Sequence, residues 1–145
     1  KFISNSTKGN GGAIYWSGSG RINLNKSVFS GNSAKYGAAL YTTKTIYCNA
    51  CTFTDNAASN NGTGGVYYAA SGAKVYINNS CFHNNDGTKV TTNMSDIVVN
   101  GGNLLLMNST IYEDASNVVG LRAYNTTTSG QVCLYNNVIQ TNYHH

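Results

Sequence analysis

The side chains able to do chemistry in this chain are few, and their spacing limits what they can do. The acids are Asp55, Asp86, Asp96, Glu113 and Asp114. Cleaving a polysaccharide takes two carboxylates held across the scissile bond, or acids gathered around calcium. Asp55 and Asp86 fall in different phases of a repeat described below, and Glu113 and Asp114 are neighbours, which on a strand face opposite ways. The spacing therefore points to no catalytic residue. His83 is the single histidine outside the terminal pair, and no Gly-x-Ser-x-Gly elbow accompanies it. Cys48 and Cys51 form a C-x-x-C, with Cys81 and Cys133 far off. A structural zinc needs four placed ligands, and no second pair stands at zinc spacing. The thiols read as free and buried or half-buried, and no metal or cofactor is expected.

Tyrosine is the more suggestive residue. If Ile14, Leu40 and Tyr67 point inward on strands, then Tyr15, Tyr41, Tyr68 and Tyr124 point outward near one column, with Trp16 beside Tyr15. Tyr47 and Tyr76 form a second outward pair. An exposed tyrosine stripe can stack on sugars or hold a protein partner at low entropy cost. Tyrosine also favours strands for packing reasons alone. Asn-x-Ser/Thr triplets add glycosylation candidates, of which Asn61, Asn93 and Asn125 fall in variable loops that a transferase could reach.

These residues are positioned by a repeat. The anchors Phe2, Phe29, Phe53, Phe82, Ile111 and Ile139 follow one another at steps of 27, 24, 29, 29 and 28 residues. Seven residues before each anchor from the second onward stand Ile22, Ile46, Val75, Leu104 and Val132. Five residues before stand Leu24, Cys48, Ile77, Leu106 and Leu134. Both offsets are apolar in every copy, and residues two apart on a strand share a face. Three residues after the anchors come Asn5, Asn32, Asn56, Asn85 and Asp114, corner positions where stacked side chains can satisfy buried backbone. Small-residue strands return at Gly12–Tyr15, Ala38–Tyr41, Gly65–Tyr68, Asp96–Val99 and Leu121–Tyr124. A coil of this length with two or three short strands has the size of one turn of a parallel β-helix; a propeller blade needs about 40 residues. The crossover rule makes right-handed winding the default.

Composition agrees. The chain has 145 residues, 22 asparagines, 16 glycines and no proline, and no window carries a helical period. The net charge of +4 comes from scattered Lys and Arg, which gives nucleic acid no footing. No apolar run reaches the roughly 18 residues of a membrane span. Thr42-Thr43, Thr91-Thr92 and Thr126-Thr127-Thr128 fall at different offsets, unlike an ice-binding array.

The residues Gly11-Gly12-Ala13-Ile14 and Phe29-Ser30-Gly31-Asn32, with Phe2–Asn5, Phe53–Asn56 and Phe82–Asn85, form a paired signature. It resembles the repeats of chlamydial polymorphic outer-membrane proteins and of the adhesin-like surface proteins of methanogenic archaea. The likeness is good over about the first 85 residues; beyond them Ile111-Tyr112-Glu113-Asp114 replaces the Phe and Asn. The resemblance implies an exported, adhesive protein.

The expectation is thus an all-β, right-handed, single-stranded parallel β-helix of about five coils over residues 1–143, with little or no helix. It reads as a fragment of a longer extracellular, cell-surface repeat protein, with His144-His145 a tag remnant. Its role is structural and adhesive toward surface glycans or proteins, with contacts on loops 56–64, 86–95 and 124–130. Two alternatives stay open: a carbohydrate-binding module using the tyrosine stripe, and a polysaccharide-degrading β-helix enzyme. Any membrane attachment lies in missing parts of the parent, and open solenoid ends predict end-to-end self-association.

Overall fold

The computed structural model describes residues 1–60, 64–85, 94–115, 118–124 and 130–142. Asn61, Asn93 and Asn125, the middles of the three variable loops and the terminal histidines lie outside them. All regular structure in the described residues is β-strand, and every strand pair is parallel. Three faces result. Face one has six strands: Phe2–Ile3, Val28–Ser30, Thr52–Thr54, Cys81–His83, Thr110–Glu113 and Val138–Thr141. Face two stacks Ile14–Trp16, Leu40–Thr42, Gly64–Ala69, Met94–Asn100 and Val118–Tyr124. Face three stacks Arg21–Asn25, Thr45–Asn49, Lys74–Asn78, Asn103–Met107 and Val132–Tyr135. The five-stranded faces climb four times and face one a fifth. The chain is a parallel β-solenoid.

The expected columns are in direct register. Ile22 pairs with Ile46, Ile46 with Val75, Val75 with Leu104 and Leu104 with Val132. Leu24, Cys48, Ile77, Leu106 and Leu134 follow two residues on in the same strands. Face three alternates between inward and outward residues, buried at Val75 and Ile77 and half-open between them, which is why period-two reading found it. The anchors also align from Phe2 to Ile139. Within that column the rings of Phe2, Phe29, Phe53 and Phe82 stack at 4.7, 4.9 and 4.4 Å, within 7° of parallel.

Corners explain the recurring small and amide residues. Between faces three and one, Lys26, Ala50, Asn79, Asn108 and Asn136 all hold a left-handed backbone, with φ of 49° to 55°. Asparagine bears that conformation at least cost among non-glycine residues. The Gly-Gly signature has two separate causes. Gly11 has φ 69°, and a Cβ on Gly12 would collide with the Ala38 carbonyl oxygen.

Face two departs from the expected alignment. Tyr67 pairs with Leu40 on one side and Ile97 on the other, and Ile97 with Leu121. The expected Asp96–Val99 and Leu121–Tyr124 segments are therefore out of phase by one and two residues. The segments joining faces one and two vary in length, and counting through them loses the phase.

Candidate functional site

Three side-chain columns are candidates, and the buried corner after face one is the best defined. The Asn5 backbone N–H and Nδ2 both donate to Asn32 Oδ1, at 3.0 and 2.9 Å. Asn32 repeats this toward Asn56 Oδ1 at 3.0 and 2.9 Å, and Asn56 toward Asn85 Oδ1 at 3.0 and 3.1 Å. Each amide also donates to a carbonyl: Asn32 to Phe2, Asn56 to Phe29 and Asn85 to Phe53. Asn32, Asn56 and Asn85 are fully buried. An amide both donates and accepts, so one residue type can tie the corner of every coil to the next and leave little unsatisfied.

At the next coil the pattern changes. Asn85 N–H and Nδ2 donate to Glu113 Oε1 at 3.0 and 3.2 Å, and Nδ2 also reaches Asp96 Oδ1 at 2.8 Å. The sequence alignment placed Asp114 in this column; Glu113 occupies it. Ser4, Gly31, Asp55 and Asn84 make a left-handed turn two residues after their anchors, whereas the strand runs on through Glu113. Alternation then points Ile111 and Glu113 inward and Tyr112 out, and the longer glutamate spans the difference. Glu113 and Asp96 are both buried, 1 % and 0 % exposed. Burial, then the Glu113 charge, push the Asp96 carboxyl well above the usual carboxylate range, against a smaller downward pull from the Asn85 amide. These are the acids the fold brings together, and spacing alone gave no sign of it. They are sealed in the core, where this pair cannot flank a glycosidic bond.

The outer face-two column is aromatic but not the open stripe expected. Tyr15 stacks on Tyr41 at 5.3 Å, and Tyr41 on Tyr68 at 5.1 Å, within 12° of parallel. Exposure falls along it: Tyr15 is 52 % exposed, Tyr41 half-buried and Tyr68 4 % exposed. Tyr68 is covered because Tyr36 packs edge-on against it at 5.3 Å and its hydroxyl meets Tyr124 at 2.7 Å and Asn100 Nδ2 at 2.8 Å. Burial and the Tyr68 hydroxyl push the Tyr124 phenol up, so it stays protonated. Tyr124 is not in the Tyr15 column; Arg122 is the residue there, paired with Val98. Trp16 packs with the core rather than joining the outer aromatics, because Ile14 and Trp16 share the inward face of a strand. Tyr47 and Tyr76, both half-buried, stack at 4.5 Å, and the Arg21 guanidinium lies 5.7 Å from the Tyr47 ring. Stacking along the column turns the ring faces onto one another and leaves mainly edges and hydroxyls outward.

A second amide row runs along the surface at the corner after face three. Asn49 Nδ2 donates to Asn25, Asn78 to Asn49, Asn108 to Asn78 and Asn136 to Asn108, at 2.9 to 3.3 Å. Just inside it, the Cys51 N–H donates to Ser80 Oγ, Ser80 N–H to Ser109 Oγ and Ser109 N–H to Asn137 Oδ1. No three metal-ligating side chains come together among the described residues.

Fold and columns together define a parallel β-solenoid with polar corner ladders. Residues 1–15 and 26–43 match the Chlamydia polymorphic membrane protein repeat family. Each matched stretch holds one Phe-x-x-Asn and the start or whole of a glycine-led strand, so the signature's residues are the anchor, the ladder amide and the tight turn. The chlamydial resemblance is thus shown over the first copies of the repeat; the archaeal one is not. Neither the curated proteins nor the solved structures gave a match.

Proposed function

We propose that this chain is a stiff, non-catalytic segment of a cell-surface protein, exposed outside the cell, whose loops and ends make adhesive contacts with glycans or proteins of neighbouring or host surfaces. The observation that carries the reading is the unbroken register of three parallel faces. Such a rod transmits position along its axis. Likeness to a membrane-protein repeat supports a surface setting. The ends are apolar: Leu134, Tyr135, Val138 and Ile139 are 43 % to 62 % exposed at one, and Ile3 is 58 % exposed at the other. Flanking coils or a second copy would cover them. The test is binding of the purified segment to cells and to a glycan array. Saturable binding that survives removal of every acid supports adhesion; hydrolysis of a bound glycan, or binding to neither, overturns it.

Glycan recognition by aromatic stacking is a second reading, and within this column Tyr15 suits it best. That ring is half exposed with Tyr41 stacked on one face, whereas Tyr41 is half-buried between two rings and Tyr68 is buried. Tyr15→Ser should abolish glycan binding under this reading and Tyr68→Ser should leave it in place.

A further inference from the structure

Cys48 and Cys51 stand in columns that hold other residue types in every other coil. Cys48 replaces Leu24, Ile77, Leu106 and Leu134, and Cys51 sits where Ser27, Ser80, Ser109 and Asn137 sit. The corner carries both side chains inward, since Asn49 points out and Ala50 takes the left-handed turn at φ 55°. Both residues are at most 2 % exposed and lie in one buried cluster, with Cys48 paired to the Leu24 whose carbonyl the Cys51 thiol reaches. The Cys51 thiol donates to the Leu24 and Asn49 carbonyls at 3.7 and 3.6 Å. The phenol of Tyr67 is fully buried and lies against Cys48 without a well-aligned hydrogen bond. Elsewhere in this column pair an aliphatic side chain and a hydroxyl or amide fill the space. Here two sulfurs and an unsatisfied hydroxyl share it.

We propose that Cys48 and Cys51 are a peroxide-sensitive dithiol that closes to a reversible disulfide within one coil. Closure requires Cα atoms about 4.4–6.8 Å apart, a range that residues i and i+3 around a tight corner can meet. The two sulfurs are unequal. The neighbouring Cys48 thiol brings the Cys51 thiol down to about 7, below its ordinary value, against burial, which raises it. The same contact and burial push Cys48 well above the ordinary value. Cys51 is therefore the thiolate that reacts and Cys48 the thiol that resolves. The Cys51 thiolate attacks one oxygen of a hydroperoxide; the O–O bond breaks, and the leaving oxygen takes up a proton. The sulfenic acid left on Cys51 is then attacked by Cys48 sulfur, which loses its proton. The S–S bond forms, the S–O bond breaks and water departs. Two thiols are oxidised and one peroxide is reduced. The closed loop is only four residues, so little stability is gained; the consequence is chemical protection of the corner.

The experiment treats the folded chain, carrying Cys81→Ser and Cys133→Ser, with hydrogen peroxide, then unfolds, alkylates and weighs it. The expected product has lost two hydrogens, resists alkylation at both cysteines and is restored by dithiothreitol, with a rate that climbs as pH rises through about 7. Cys48→Leu should instead stop at a Cys51 sulfenic acid that dimedone captures. Full alkylation of both cysteines after peroxide, or a Cys51 sulfinic acid with Cys48 free, overturns the proposal. Peptide mapping of the unsubstituted chain gives the same readout should any variant fail to fold.

Discussion

The buried amide row from Asn5 to Asn85 and the carboxyl pair that ends it occupy one corner of one solenoid, yet they solve the same problem in different ways. From Asn32 to Asn85 each amide accepts two hydrogen bonds from the coil below and donates onward. At the fourth step Glu113 accepts from Asn85, and Asp96 crowds in beside it. A carboxylate accepts but cannot donate, so it ends an amide chain rather than extending it. The phenylalanine stack stops at the same level, where Ile111 follows Phe82. Both halves of the Phe-x-x-Asn signature thus lapse together, which marks the change as a boundary between two kinds of coil.

That contrast can be broken most forcefully in the middle of the row. Asn56→Ala strips the acceptor from Asn32 N–H and Nδ2 and the donor from the Phe29 carbonyl, all buried. A loss of about 4 kcal/mol in urea unfolding is expected, because several buried groups are left unpaired at once. A loss below about 1 kcal/mol would mean the row contributes little.

The carboxyl end gives the next effect, in pH. Folded Asp96 keeps a proton that the unfolded chain gives up above a pKa of about 4. The folded state then binds more protons, so the Asp96 contribution to stability is fully present below about pH 4 and is lost as pH rises toward the folded value, by at most about 1.4 kcal/mol per pH unit. Asp96→Asn should flatten that fall; equal slopes in both proteins would refute the assignment. Glu113→Gln removes the charge beside Asp96 and supplies a donor, and should stabilise the fold at pH 7 by about 1 kcal/mol in thermal or urea melts. The smallest effect belongs to Asn5→Ala, at the exposed start of the row, with less than about 1 kcal/mol expected.

The solenoid itself was legible because Ile22, Ile46, Val75, Leu104 and Val132 are tied to their anchors by rigid corners of constant length. Face two was less so, since the segments leading into Met94–Asn100 and Val118–Tyr124 differ in length and carry no marker of phase. The Asp96–Glu113 meeting was hidden for a related reason: it depends on a turn that is missing. One signal could have exposed it. The turn position is filled by Ser4, Gly31, Asp55 and Asn84 and then by Glu113, the residue of the five least suited to a left-handed backbone. Tyr68 was misjudged because alternation says which way a side chain points, not whether Tyr36 and Tyr124 will fold over it.

The two amide rows also point in opposite senses. In the buried row hydrogens run toward later coils, and in the surface row toward earlier ones. The first coil therefore presents the Asn5 side-chain oxygen at one corner and the Asn25 amide N–H groups at another. A coil that continues both rows would have to supply a donor at one corner and an acceptor at the other.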